Sequence, residues 1–470
     1  MKAIVLKAFI LFTSILFLAP CAFSQRAGLG GGDLAGFRDA LTQDGFDVTT
    51  GAVVPWNLAA AWCANTPGVD SALYFNIEPY IQVQVPASAQ EPNQLSGQFQ
   101  LDPREAVVLI GLTPPPEKYF SITPYLWSRV YPDGSRKQVI ATLGDSVNVA
   151  TVETVGPTPF NAPVALIFTP DRTTEARVRA ALRRAGYPAA IINTVVFPAS
   201  MLNLGRGESA DLLAIAMRNA IWTDPAAGSD YVNNPPLSVF RVTPRTQAIP
   251  DSFPAPPLRV RGTGRTEMDL ANKLGAVRQG IVAANPGLHA VDITLIPMCY
   301  EGYDLIQRGL EWCGDSRDAF YVGAGIPEYD TINRITLADG EFLMVYGPNH
   351  VATGKATYMN TNIYASETAK LTLGAFDDRK FTGKGTATPY LPAGDPDADV
   401  MYAYKISRSC GGEANCLQLT VPEGCTRLTL DDNTLLGVFT RIYLEPKTRI
   451  GPAMPEMLYD RVLKFSPASP

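Results

Sequence analysis

The sequence predicts an α+β fold with mixed β-sheets, β-α-β units, many short strands and Pro/Gly-rich loops. Three observations carry that expectation. Hydrophobic residues fill 46% of the 470 positions and charged residues only 18%, enough apolar material for a large core. Gly and Pro contribute 39 residues each, so much of the chain must turn, which excludes coiled coils and helical solenoids. Between segments of strand character, the hydrophobic period switches to that of a helix.

The chain opens with an expected secretory signal over 1–24. Lys2 and Lys7 give the positive end, 8–19 the apolar run, and Ala22-Phe23-Ser24 the small residues a signal peptidase reads, with cleavage before Gln25. The mature product is expected to be secreted or periplasmic, with no membrane span. It would carry 37 basic and 45 acidic residues, a charge of −8, which argues against a nucleic-acid partner. Six Cys would remain: Cys63, Cys299, Cys313, Cys410, Cys416 and Cys425. An even count in an oxidising compartment points to three disulfides. Local loops would pair Cys299 with Cys313 and Cys410 with Cys416, leaving Cys63 for Cys425. A zinc site would need a tighter Cys-x-x-Cys spacing.

The mature chain then divides into a flexible Gly-rich lead-in (25–55), a first α+β lobe (56–234), a Pro-rich linker or loop (235–257) and a second α+β lobe (258–470). In the first lobe, Ile81, Val83 and Val85 alternate with Gln82 and Gln84 as in a half-buried strand. The run 106–112 (AVVLIGL) reads as a central strand, stopped by Pro114 to Pro116. Strand 164–169, helix 175–185 and strand 190–197 read as a β-α-β unit, with Asp171 and Thr173 near the helix start and Gly186 at its C-terminal cap. A second helix is expected over 209–222 and a third over 265–284. Beyond 330, short strands separated by turns return.

Histidine limits the chemistry. Only His289 and His350 exist, so a three-His zinc site is impossible. His350 follows an apolar strand, where sites often form. Asn349 and Lys355 lie beside it as candidate ligand-binding residues. Gly144-Asp145-Ser146-Val147-Asn148 is similar to the first block of the GDSL/SGNH hydrolases, and Gly347-Pro348-Asn349 has the Gly-x-Asn form of that family's oxyanion block. That resemblance implies a nucleophilic Ser146. The family's Asp-x-x-His pair has no counterpart here. Ser209, in Gly207-Glu208-Ser209-Ala210, is a second candidate nucleophile or a helix N-cap. With either serine, His350 would act as general base.

Asp395, Asp397 and Asp399 alternate along a Gly/Pro-rich loop, a spacing of hard oxygen ligands that suggests a structural calcium, although Val400 and Lys405 exclude an EF-hand. Asp315, Arg317 and Asp318 are expected to form an ion-pair network or to line a pocket. Tyr125 and Trp127, in an aromatic-rich segment, could form a platform for a small-molecule or glycan ligand. The leading expectation is a cofactor-independent hydrolase of a small ester or glycan. The alternative is a non-catalytic secreted ligand-binding or cell-envelope interaction protein.

Overall fold

The computed structural model describes residues 31–67, 69–72, 79–299, 301–302, 306, 314–327, 330, 332–368, 370–381 and 385–468. The expected signal and Cys313 lie outside these residues.

Asp33 caps α1 (Leu34–Gln43), its carboxylate accepting the Ala35 amide at 2.9 Å. β1 (Phe46–Thr50), β2 (Ala52–Trp56), α2 (Leu58–Cys63) and β3 (Tyr80–Pro86) follow, then β4 (Leu95–Ser96), β5 (Ala106–Leu112), β6 (Glu117–Val130), β7 (Arg136–Thr142) and β8 (Val147–Asn148). β9 (Pro163–Thr169), α3 (Arg172–Arg184) and β10 (Ile192–Val196) make the expected β-α-β unit with parallel strands. Asp171 caps α3, and Gly186 takes φ +90° just past its end, where a side chain would be strained. β11 (Leu212–Trp222), α4 (Pro225–Asn233) and β12 (Leu237–Pro244) complete the first half. The second half runs through α5 (Ala271–Ala283), β13 (Leu288–Ile293), β14 (Ile296–Met298), β15 (Ala319–Ala324), β16 (Phe342–Pro348) and β17 (Tyr358–Ala365). It ends with β18 (Leu371–Asp377), β19 (Met401–Ser407), β20 (Cys416–Gln418), β21 (Leu436–Tyr443) and β22 (Arg461–Pro467).

The strands form four sheets. The first outer sheet has order β1-β12-β5-β9-β10, and the first inner sheet β2-β3-β11-β6-β7. The second outer sheet has order β13-β22-β16-β19-β20, and the second inner sheet β14-β15-β21-β17-β18. These orders are the same order. With β4 and β8 set aside, β1 to β12 and β13 to β22 correspond strand for strand, in chain sequence and in sheet position. Neighbours are antiparallel throughout except the equivalent pairs β9–β10 and β19–β20, which are parallel. α1 and α5 occupy equivalent places. The chain is therefore two copies of one sandwich unit, and its α+β character is weighted towards strand.

Side-chain bonding repeats with the strands. Glu105 precedes β5 and accepts the Asp102 amide at 2.9 Å, Thr243 Oγ1 at 2.5 Å and Arg241 Nη2 at 2.5 Å. Glu341 precedes β16 and accepts the Ala338 amide at 2.8 Å, Ser466 Oγ at 2.6 Å and Lys464 Nζ at 2.8 Å.

The layers follow from which faces are apolar. α1 and α3 cover the first outer sheet through Phe37, Leu41, Val178 and Leu182. Its other face packs on the first inner sheet through Leu109, Leu166, Ile215 and Met217. α5 covers the second outer sheet through Leu274, Val277 and Ile281. That sheet packs on the second inner sheet through Val345, Ile406, Met359 and Ile442. The two inner sheets then face each other, with Tyr119, Ala220, Tyr321, Tyr358 and Tyr443 in contact.

Three expectations are corrected. The lead-in over 25–55 is not flexible throughout: it carries α1, β1 and β2, because Phe37, Leu41 and Phe46 are needed to cover the outer sheet. The helix expected over 209–222 is strand β11, buried along nearly its whole length. The linker over 235–257 begins with β12, a strand between β1 and β5 whose Pro residues sit at its ends. Disulfides join Cys63 to Cys425, across the two units, and Cys410 to Cys416. Cys299 is also disulfide-bonded. Among the described residues no helix is long and apolar enough to cross a membrane.

Candidate functional site: the interior between the inner sheets

Strand alternation sends every second residue of the inner sheets towards the opposite unit. β6 contributes Tyr119, Ser121, Thr123 and Tyr125, while Ile122 and Leu126 point into its own sandwich. β17 contributes Tyr358, Asn360, Asn362 and Tyr364, while Met359 and Ile363 point inwards. In sequence this is one motif written twice, Tyr-x-(Ser/Asn)-x-(Thr/Asn)-x-Tyr, at 119–125 and 358–364. Arg218 of β11 pairs with Ser121, and Arg441 of β21 pairs with Asn360, so the two arginines are equivalent. Each stands three residues before a left-handed backbone position, Ile221 (φ +62°) and Leu444 (φ +57°). For a β-branched residue such as Ile221 that conformation is a genuine outlier.

Both guanidiniums are buried among aromatic rings. Arg218 lies over Tyr80 at 5.3 Å and Tyr125 at 5.4 Å, and its Nη1 donates to the Tyr125 hydroxyl. Arg441 lies over Phe439 at 4.5 Å and Tyr364 at 5.7 Å, and its Nη1 donates to Asn362 Oδ1 at 3.0 Å. Tyr443 bridges the units, stacked on Tyr358 at 5.5 Å and lying 4.7 Å from Tyr119. Tyr80, Tyr321 and Tyr443 feel the charge of both arginines. Burial pushes the Tyr125, Tyr321 and Tyr443 phenols far above their usual range, and Tyr364 up to about 12, so these rings are neutral.

Three buried polar atoms here have no hydrogen-bond partner among the described residues: Arg218 Nε, Asn362 Nδ2 and Tyr443 Oη. Leaving such a group unsatisfied costs about 1–3 kcal/mol, more when it is charged. Arg218 and Arg441 each keep 5% of their surface accessible and Tyr80 8%, so space of at least water size adjoins them. The buried carboxylates whose charge reaches these tyrosines are engaged elsewhere. Asp315 accepts the Thr142 amide and hydroxyl at 2.8 and 2.6 Å. Asp377 takes both Arg379 nitrogens at 2.8 and 2.9 Å. Asp318 accepts Tyr119 Oη and Asn148 Nδ2, both at 2.9 Å, and burial still pushes it up to about 6. The interior is thus cationic, aromatic and rich in donors, which suits an anion.

The residues singled out from sequence fall elsewhere, with one exception. His350 is fully buried, its Nδ1 at 2.9 and 3.0 Å from the Glu267 carboxylate and its Nε2 at 3.7 Å from Asp460 Oδ2. Burial alone would lower its pKa, but Glu267 and Asp460 outweigh that and raise it to about 10. A ring held as imidazolium has no lone pair with which to take a proton, and its bonds go to neither serine. Ser146 Oγ lies 2.7 Å from Thr123 Oγ1. Its neighbour Asp145 binds Arg317 Nε at 2.7 Å, and Arg317 also pairs with Glu301. The block that resembles a hydrolase motif therefore ties the two units together. Ser209 is exposed in the turn before β11 and caps no helix.

Trp127 is buried 5.5 Å from Trp56, in a cluster with Ile140 and Ala214 of its own sheet, so no exposed aromatic platform forms. Tyr125 is the exception, lining the cationic interior. Asn349 Oδ1 accepts the Val351 and Ala352 amides, both at 3.2 Å, and Lys355 pairs with Glu445 at 2.8 Å and with Glu456. At the loop expected to hold calcium, the Lys273 ammonium lies 2.5 and 2.7 Å from the Asp395 oxygens and 3.4 Å from Asp397, while Asp399 is exposed. Among the described residues no group of three or more His, Cys, Asp or Glu could hold a metal. Sequence reading passed over Arg218 and Arg441. The available signal was a single charged residue, an arginine, inside each of two largely apolar runs, 212–222 and 436–443.

No family model and no curated protein matches the chain. It is similar to an uncharacterized protein from Burkholderia cenocepacia of known crystal structure, at 10% identity over 91% of this chain and 87% of that one, with a TM-score of 0.35. The tandem CBM22 modules of a Paenibacillus barcinonensis protein align at 7% identity over 94% and 96%, with a TM-score of 0.13. Neither likeness carries an argument about fold or function.

Proposed function

We propose that this is an exported binding protein that holds a small anionic molecule between its two inner sheets, without catalysing a reaction on it. The observation that carries the reading is Arg218: a buried guanidinium with an open Nε, set between tyrosine rings and hydrogen-bonded to no carboxylate among the described residues. A buried charge without a counter-charge is costly, and a bound anion would supply one. Export is supported by the apolar start of the chain and by the Cys63–Cys425 and Cys410–Cys416 bonds.

The test is thermal unfolding of the intact, oxidised protein with acetate, succinate, inorganic phosphate or neutral glucose. The reading predicts that at least one anion stabilises the protein, by about 2.7 kcal/mol at a hundred times its Kd. Glucose should do nothing, and Arg218→Met should abolish the anion effect. Equal anion stabilisation of wild type and Arg218→Met, or none in either, would refute it.

A further inference from the structure

At the end of the first sandwich where β3 and β12 finish and β5 begins, a cavity of about 190 Å³ is lined by Asp102, Arg104, Glu105, Arg206, Gln90 and Gln247. We propose that this cavity is a second binding site, separate from the interior between the inner sheets, and that its ligand is a small hydroxylated monocarboxylate. Arg104 keeps only 7% of its surface accessible. Its Nη1 donates to the Thr246 carbonyl at 2.8 Å, while Nε and Nη2 make no hydrogen bond or ion pair among the described residues. Neither nitrogen is among the polar atoms sealed away without a partner, so both remain reachable from the cavity. Together they form the guanidinium edge that takes both oxygens of one carboxylate. The charge of the wall sets the charge of the ligand. Glu105 is held by Arg206 and, behind it, by the fully buried Arg241. Asp102 accepts the Arg104 amide at 3.2 Å and makes no ion pair among the described residues. Three guanidiniums thus stand against two carboxylates, and a single negative charge completes the balance where a dianion would exceed it. The cavity is smaller than the roughly 300–1,000 Å³ of sites for drug-sized ligands, so the acid is small. Gln90 and Gln247 offer neutral donors and acceptors that suit hydroxyl groups. The second unit shows that the turn itself does not need the arginine. The Glu105 amide donates to the Asp102 carbonyl at 3.0 Å and the Glu341 amide to the Ala338 carbonyl at 3.1 Å, so one turn is built twice, with Gly340 in the place of Arg104.

The experiment is calorimetric titration of the intact, oxidised protein with gluconate, its neutral counterpart sorbitol, and acetate, in wild type, Arg104→Met and Arg218→Met. Gluconate should bind at least about tenfold tighter than acetate, and sorbitol should not bind. Arg104→Met should weaken gluconate at least about tenfold, and Arg218→Met should leave it unchanged. Should Arg104→Met fail to fold, Arg104→Gly, which copies the turn of the second unit, gives the same readout. No gluconate binding, binding that survives the loss of Arg104, or equal affinity for gluconate and acetate overturns the proposal. Loss of gluconate binding in Arg218→Met alone assigns the acid to the interior between the inner sheets, which overturns this second site and leaves the first reading standing.

Discussion

Arg218 and His350 are both buried cations, and what surrounds them decides what each can do. His350 has Glu267 on one nitrogen and Asp460 facing the other, so its charge is compensated. Its pKa is raised to about 10 from an ordinary value near 6.5. The stability it contributes is therefore fully present below about pH 6.5 and is lost as pH rises towards 10. Melting temperatures across that window should fall more steeply in wild type than in His350→Gln; parallel curves would contradict the assignment. His350→Ala should also cost about 3–5 kcal/mol at pH 7, because it strands two buried carboxylates. Arg218 is the opposite case. Arg218→Met should cost the ligand-free protein little, since it removes an uncompensated charge, and urea midpoints would check this. A loss above about 3 kcal/mol would mean that Arg218 is chiefly a structural residue. Histidine scarcity drew the sequence reading to His350, and its place after a strand was read correctly. Its partner Glu267 lies 83 residues away, a pairing that no local pattern displays.

Elements of ordinary period were legible. The run 106–112 is β5, and the helix within 171–186 is α3 with its cap and terminal glycine. β11 was misread because a strand buried on both faces shows no alternation, and its Ala, Leu and Met residues favour a helix where packing does not intervene. The equivalent carboxylates before β5 and β16 allow a paired test. Glu105 and Arg241 are fully buried, whereas Glu341 and Lys464 keep 14% and 21% of their side-chain surface exposed. Glu105→Gln should therefore cost about 3–5 kcal/mol and Glu341→Gln about 1 kcal/mol or less in urea unfolding. Similar costs at both positions would show that burial does not govern this repeated contact.

At the scale of the molecule, the duplication was the largest feature that sequence reading missed. The second unit has a short loop closed by Cys410–Cys416 where the first has α3, so the spacing of equivalent strands is not constant and no fixed period appears. The tyrosine motif at 119–125 and 358–364 was its visible trace. Cysteine counting did better, since both disulfides within the described residues are the pairs expected. Cys63–Cys425 closes 362 residues and Cys410–Cys416 only 6. On chain-entropy grounds, replacing the first pair by Ala should cost about 6 kcal/mol and the second about 2 kcal/mol, measured by denaturant unfolding. The reverse order would show that strain or residual structure dominates. The duplication also explains why a buried arginine recurs at the equivalent place of each inner sheet: one residue is written twice. The most direct test of the join between the inner sheets as a binding site is at Arg218 itself. In an arginine Nε–Hε NMR spectrum, the resonance removed by Arg218→Lys should shift on addition of succinate or malate to saturation. If it stays fixed while other signals respond, the anion binds elsewhere and the interior between the sheets is structural.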